Sequence, residues 1–155
     1  MLKRRQKAKR IGVDDAQKYE LTPNSSLGVF ELGKDIGTYL HLPHFFEHND
    51  FETFSNDCYE FYDGIVEVWV IKDNKIDTIR CNSECYWKEK NLIGMLFDDF
   101  SKLSENKPDK ESVVYVPINR DRGQNQTVYE FDKLGLQVWV WRNRIKTVLI
   151  SKYDE

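Results

Sequence analysis

Three histidines, His41, His44 and His48, stand in i, i+3 and i, i+4 relation with Glu47 and Asp50 beside them. That is the spacing by which one helical face gathers nitrogen and oxygen ligands for a metal. The order is not the His-Glu-x-x-His of a zinc hydrolase, and Pro43 interrupts any helix there, so surface or loop histidines are the simpler reading. Cys81 and Cys85 are separated by three residues rather than two, and no second pair exists. They read as structural thiols, not as a zinc or redox motif. No Gly-x-Ser-x-Gly elbow occurs, and Gly28, Gly33 and Gly37 are not followed by the Gly-Lys-Ser/Thr of a phosphate loop. Asp98 and Asp99 could exchange protons, yet two acids opening a helix are first a match to its dipole. The residues therefore predict no catalytic group, no metal ligand set and no cofactor.

What the chain does offer is adhesive chemistry. Side chains alternate across a strand, so Val66, Val68 and Val70 should share one face while Ile65, Glu67, Trp69 and Ile71 take the other. Farther on, Leu136, Val138 and Val140 separate in the same way from Gln137, Trp139 and Trp141. The aliphatic face is the natural core. The opposite face then carries three indoles among polar neighbours, the anchors that dominate protein interfaces. If that face is instead covered by another part of the chain, the indoles are only a second layer of core. The candidate partner-binding residues are Glu60, Asp63, Glu67, Trp69, Gln137, Trp139 and Trp141, with Glu47, Asp50, Glu52 and Asp57 as further acids able to surround them.

The elements that must position these residues are written twice. Tyr59-Glu60-Phe61 is followed by a strand ending Val68-Trp69-Val70 and then by Asn74-Lys75-Ile76-Asp77-Thr78; Tyr129-Glu130-Phe131 is followed by Val138-Trp139-Val140 and Asn143-Arg144-Ile145-Lys146-Thr147. Each copy has the grammar of strand, tight turn, strand, with an asparagine that tolerates the left-handed backbone such turns need. Upstream, Ile36 with Tyr39 and Leu40, and Phe100 with Leu103, have the spacing of an apolar helical stripe, and Pro43 and Pro108 lie where each helix should stop. The expected fold is α+β: a tandem repeat, over about residues 27–81 and 92–151, of a short helix plus an antiparallel β-hairpin, with the strands in one sheet and the helices on one face. Val113–Val116 and Thr127–Tyr129 read as a further strand pair. Residues 1–25 read as a basic arm and leading segment, and 26–155 as a single domain.

Composition agrees with one compact unit. The 155 residues are 40% hydrophobic and 32% charged, enough for a core without disulfides or metal. Apolar runs such as Val68-Trp69-Val70-Ile71 fall far short of the ~20 residues of a membrane span. The first ten residues carry six bases and no acid, which leaves 17 bases against 26 acids, a formal charge of -9, on the remainder. An acidic body disfavours nucleic acid as a direct partner and suits a basic protein. Gln6-Lys7-Ala8-Lys9-Arg10 stands where a signal peptide needs an apolar stretch, and three cysteines are an odd number, so a cytoplasmic chain with reduced thiols is expected.

The run Leu27-Gly28-Val29-Phe30-Glu31-Leu32-Gly33, then Tyr-Glu-Phe and a Val-Trp-Val strand leading to an asparagine turn, resembles small bacterial immunity proteins of polymorphic toxin or contact-dependent growth inhibition systems. More distantly it is similar to the duplicated units of β-lactamase-inhibitor-like proteins. The resemblance implies a non-enzymatic cytoplasmic inhibitor that binds a cognate toxin, usually a nuclease, and occludes its active site. Two other classes compete: a small-molecule or peptide binding module using the tryptophan face as its pocket, and a hydrolase using His41, His44 or Asp99.

Overall fold

The computed structural model describes residues 17–152, so the basic run of the first ten residues lies outside them. Three short strands, β1 (Leu21–Thr22), β2 (Ser26–Leu27) and β3 (Phe30–Glu31), and a 3-10 turn at Ile36–Tyr39 lead into four longer ones. These are β4 (His44–Asp50), β5 (Ser55–Phe61), β6 (Val66–Val70) and β7 (Ile76–Cys81). The pattern then recurs. The strands β8 (Tyr86–Trp87) and β9 (Lys90–Asn91) and the helix α1 (Phe97–Ser104) lead into β10 (Lys110–Pro117), β11 (Gly123–Phe131), β12 (Leu136–Trp141) and β13 (Arg144–Ser151).

Each group of four is an antiparallel meander, and the two meanders form one sheet in the order β10-β11-β12-β13-β7-β6-β5-β4. Their last strands pair with each other, Val148 opposite Cys81 and Ile150 opposite Ile79, as a two-fold axis through that seam would place them. Two apolar rows cross it unbroken. One runs Phe61, Val66, Cys81, Val148, Val138, and the other Val68, Ile79, Ile150, Leu136, Phe131. Cys81 thus serves as a small apolar residue with no exposure.

The expected α+β repeat of helix plus hairpin is not what the chain forms. The protein is mostly β, with four strands per unit instead of two and one complete α-helix among the described residues. The stretch from Ile36 makes a single 3-10 turn, at whose start Ile36 N donates to Asn74 O and Gly37 N to Asp35 Oδ1, each at 2.8 Å. Gly37 inside it and Pro43 just after it leave too little chain for an α-helix to repay its nucleation. The histidine segment, considered as a metal-gathering helix, is instead the edge strand β4. An edge strand hydrogen-bonds on one side and is solvated on the other, so it lacks the apolar alternation that betrays a strand in sequence.

The short strands, turns and helix cover one face of the sheet. Phe30 rests on Phe61 with ring centroids 4.6 Å apart, and Phe100 on Phe131 at 5.3 Å. Phe61 and Phe131 are equivalent positions of the two copies, so each cover is pinned to its own meander by the same contact. The duplication extends to irregularities. Both returning strands carry a bulge after the tryptophan, with Asp77 and Lys146 as the extra residues. Both hairpins turn through consecutive residues of positive φ, Asp73 and Asn74 in one, Arg142 and Asn143 in the other.

Phe61→Ala and Phe131→Ala are each expected to lower unfolding free energy in urea by about 3–5 kcal/mol. Phe45→Ala, on the exposed edge strand, should change it by no more than about 0.5 kcal/mol. A small loss at either buried ring would show that the two covers are not held by it.

Candidate functional site

The other face of the sheet is the one that the described covering elements leave bare. Directly paired positions set Phe45, Glu60, Glu67, Arg80, Leu149, Gln137, Glu130 and Lys110 in one row across all eight strands. Trp69 lies on one side of that row, between Cys58 and Thr78; Trp139 lies on the other, between Val128 and Thr147. The indoles are therefore two-fold mates about the seam. Both are half-buried, as is Trp141 farther along β12, where Arg142 Cζ sits 4.5 Å and Lys146 Nζ 5.8 Å from the ring centroid.

Equivalent positions beside the two central indoles have different chemistry. In the first copy Glu67 Oε2 pairs with Arg80 Nη1 at 2.9 Å, and Cys58 Sγ donates to Glu67 Oε1 at 3.7 Å. Burial, together with the Glu67 charge, pushes the Cys58 thiol up to about 12, so it stays protonated and unreactive at neutral pH. In the second copy the same two positions are Gln137 and Leu149, and Trp139 Nε1 donates to Gln137 Oε1 at 3.2 Å. That bond holds the Trp139 ring in one orientation.

Six of the seven residues singled out from sequence, Glu60, Glu67, Trp69, Gln137, Trp139 and Trp141, share this face. Asp63 sits off it, exposed in the turn between β5 and β6 at φ 57°. The wider acidic cluster is divided. Glu47 joins Glu60 and Phe45 around a shallow hollow of about 370 Å³ on the bare face. Asp57 and Asp50 point to the opposite side of β5 and β4, and Glu52 lies in the turn between those strands.

A larger cleft of about 480 Å³ opens on the second copy's half of the face, bounded by Trp69, Trp139, Arg80, Lys146, Gln126 and the Val116-Pro117-Ile118 end of β10. Its lining includes two cations and no carboxylate. Sequence reasoning missed Arg80, Lys146 and Ile118. Arg80 was accessible to the same alternation that placed Trp69, but Lys146 joins the cleft at a bulge, where alternation breaks.

The alternative hydrolase residues are not brought into a working group. His44 Nδ1 is bonded to Leu42 O at 2.8 Å on β4, His41 is exposed before that strand, and Asp99 is exposed in the first turn of α1. Among the described residues no cluster of three or more His, Cys, Asp or Glu could hold a metal, and no helix is long and apolar enough to cross a membrane. No protein family, curated protein or solved structure matches the chain.

One titrating pair stands at the sheet edge. His48 Nδ1 lies 2.6 Å from Asp57 Oδ1, and that hydrogen bond raises the His48 pKa above its ordinary 6.5. The stabilisation is fully present below the unfolded-state value and is lost as pH rises through the raised folded one. Stability should therefore decline from pH 6.5 upward across that window, and Asp57→Asn should remove the decline. NMR titration of the His48 ring checks it: an unchanged midpoint in Asp57→Asn would dissociate the two groups.

Proposed function

We propose that the protein is a non-catalytic binder that seats a basic partner protein on the bare face of its sheet, as an immunity protein seats its toxin. One observation carries this reading: three half-buried indoles and the carboxylates of Glu47 and Glu60 share a sheet face that the described covering elements leave open. Half-buried indoles held by neighbours lose little freedom on docking, which suits them as anchors. Glu67 is already occupied by Arg80, so on the half of the face around β4 to β6 Glu47 and Glu60 are the acids left to meet cations. In a nuclease toxin they would stand where substrate phosphates bind, and Asp63 would extend the acidic border at the sheet's end. A cytoplasmic location follows from this reading, since that is where such a toxin must be stopped. Direct nucleic-acid binding and membrane attachment have no part in it.

Binding to a toxin domain encoded immediately upstream tests the proposal. Tight one-to-one association is expected, with Trp139→Ala raising Kd roughly 30-fold or more, chiefly through faster dissociation. Glu47→Lys with Glu60→Lys should instead slow association and flatten its salt dependence. Affinity untouched by all three changes would remove this face from the mechanism.

A second reading is favoured by the cleft itself. Its volume falls within the ~300–1,000 Å³ of small-ligand sites, and its cations and indoles suit an apolar group bearing an acid. Quenching of tryptophan fluorescence by aromatic carboxylates, abolished in Lys146→Glu, would support it over protein docking.

A further inference from the structure

We infer that the β10 edge is a self-association surface, through which two copies of the chain join their sheets by antiparallel β10 pairing. The inference does not depend on the toxin-binding reading. An edge strand presents half of its backbone N–H and C=O groups outward, and soluble proteins normally guard such edges with charge, proline or a bulge. The other edge of this sheet is guarded: β4 carries Glu47, His48 and Asp50 among its seven residues, so pairing two copies about its centre would set Glu47 against Glu47. β10 is guarded only at its ends, by Lys110 and Glu111 at one and Pro117 at the other. From Ser112 to Val116 it has no charge and no proline, and Val113 is 65%, Tyr115 60% and Val114 37% exposed.

The strand is self-complementary in one register. With Val114 on the two-fold axis, Val113 of each copy faces Tyr115 of the other twice over, and Ser112 faces Val116; aromatic against β-branched is a favoured cross-strand pair. Nothing polar is buried at the centre. In the same register Glu111 faces Pro117 and Lys110 faces Ile118, so no like charges oppose each other along the joint. Asp109 is turned away, its Oδ2 accepting from Asp132 N at 2.7 Å. The Tyr115 ring also lies over Gly123 of β11, where any side chain would collide with it. The same kind of joint already operates within the chain, where β7 and β13 unite two meanders edge to edge. In the sixteen-stranded product both bare faces look the same way, and the Val116-Pro117-Ile118 wall of each cleft adjoins the joint.

Sedimentation equilibrium of the full chain is expected to show a monomer–dimer equilibrium. Val114→Lys, which places two cations on the axis, should raise the dimer dissociation constant roughly tenfold or more, while Phe46→Lys on the other edge leaves it unchanged. Near-UV circular dichroism will show both variants folded, because each site is on an exposed edge. Opposed residues of an antiparallel pair have Cα atoms roughly 4.5–5.5 Å apart, within disulfide reach, so Val114→Cys should cross-link to its own copy on oxidation and Val113→Cys should not. A monomer at every concentration, an open-ended polymer, loss of the dimer in Phe46→Lys but not Val114→Lys, or equal cross-linking at both cysteines would each overturn the assignment.

Discussion

The seam between β7 and β13 is the constraint on which the molecule rests. Each meander alone would be a four-stranded sheet with two raw edges. Pairing the two last strands removes two of four edges and lets apolar rows run continuously beneath both covers. The seam also sets the geometry of the proposed binding face: with the two last strands paired, Trp69 and Trp139 lie on either side of a single transverse row.

Much of this was legible in the chain, and the reasons for the rest are physical. The doubled Val-Trp-Val segment with its asparagine turn is strong because it is central in the sheet, where burial on one face imposes strict alternation. The split between Val66, Val68 and Val70 and the tryptophan face follows from period two alone. The α+β expectation failed at the periphery. Ile36, Tyr39 and Leu40 have helical spacing, but spacing says nothing about whether the segment is long enough to nucleate, and it closes as one 3-10 turn. β4 was hidden because Phe45 and Phe46 stand side by side among polar residues, a pattern with no period. Grouping the acids by sequence proximity also misled, since neighbours in a strand point to opposite faces: Glu47 and Asp57 are both near the patch in the chain, yet only Glu47 is on it.

The bare face has two halves of unlike character. Around β4 to β6 it is acidic and shallow, with exposed Glu47 and half-buried Glu60 beside Phe45; around β10 to β13 it is hollowed and lined by cations, amides and indoles. A partner docking as proposed would meet both halves, which calls for a surface with a basic rim and a protruding apolar or acidic feature. Such two-sided demands are a source of specificity beyond affinity.

The ion pair of Glu67 with Arg80, replaced in the second copy by Gln137 beside Leu149, bears on how the halves can exchange sequence. Copying Leu149 into the Arg80 position would strand the half-buried Glu67 carboxylate against Cys58, and copying Gln137 into the Glu67 position would leave a guanidinium with no counterion. Recombination between the two segments can homogenise this position only by carrying both strands at once, so the divergence acts as a lock that keeps the duplicated halves distinct.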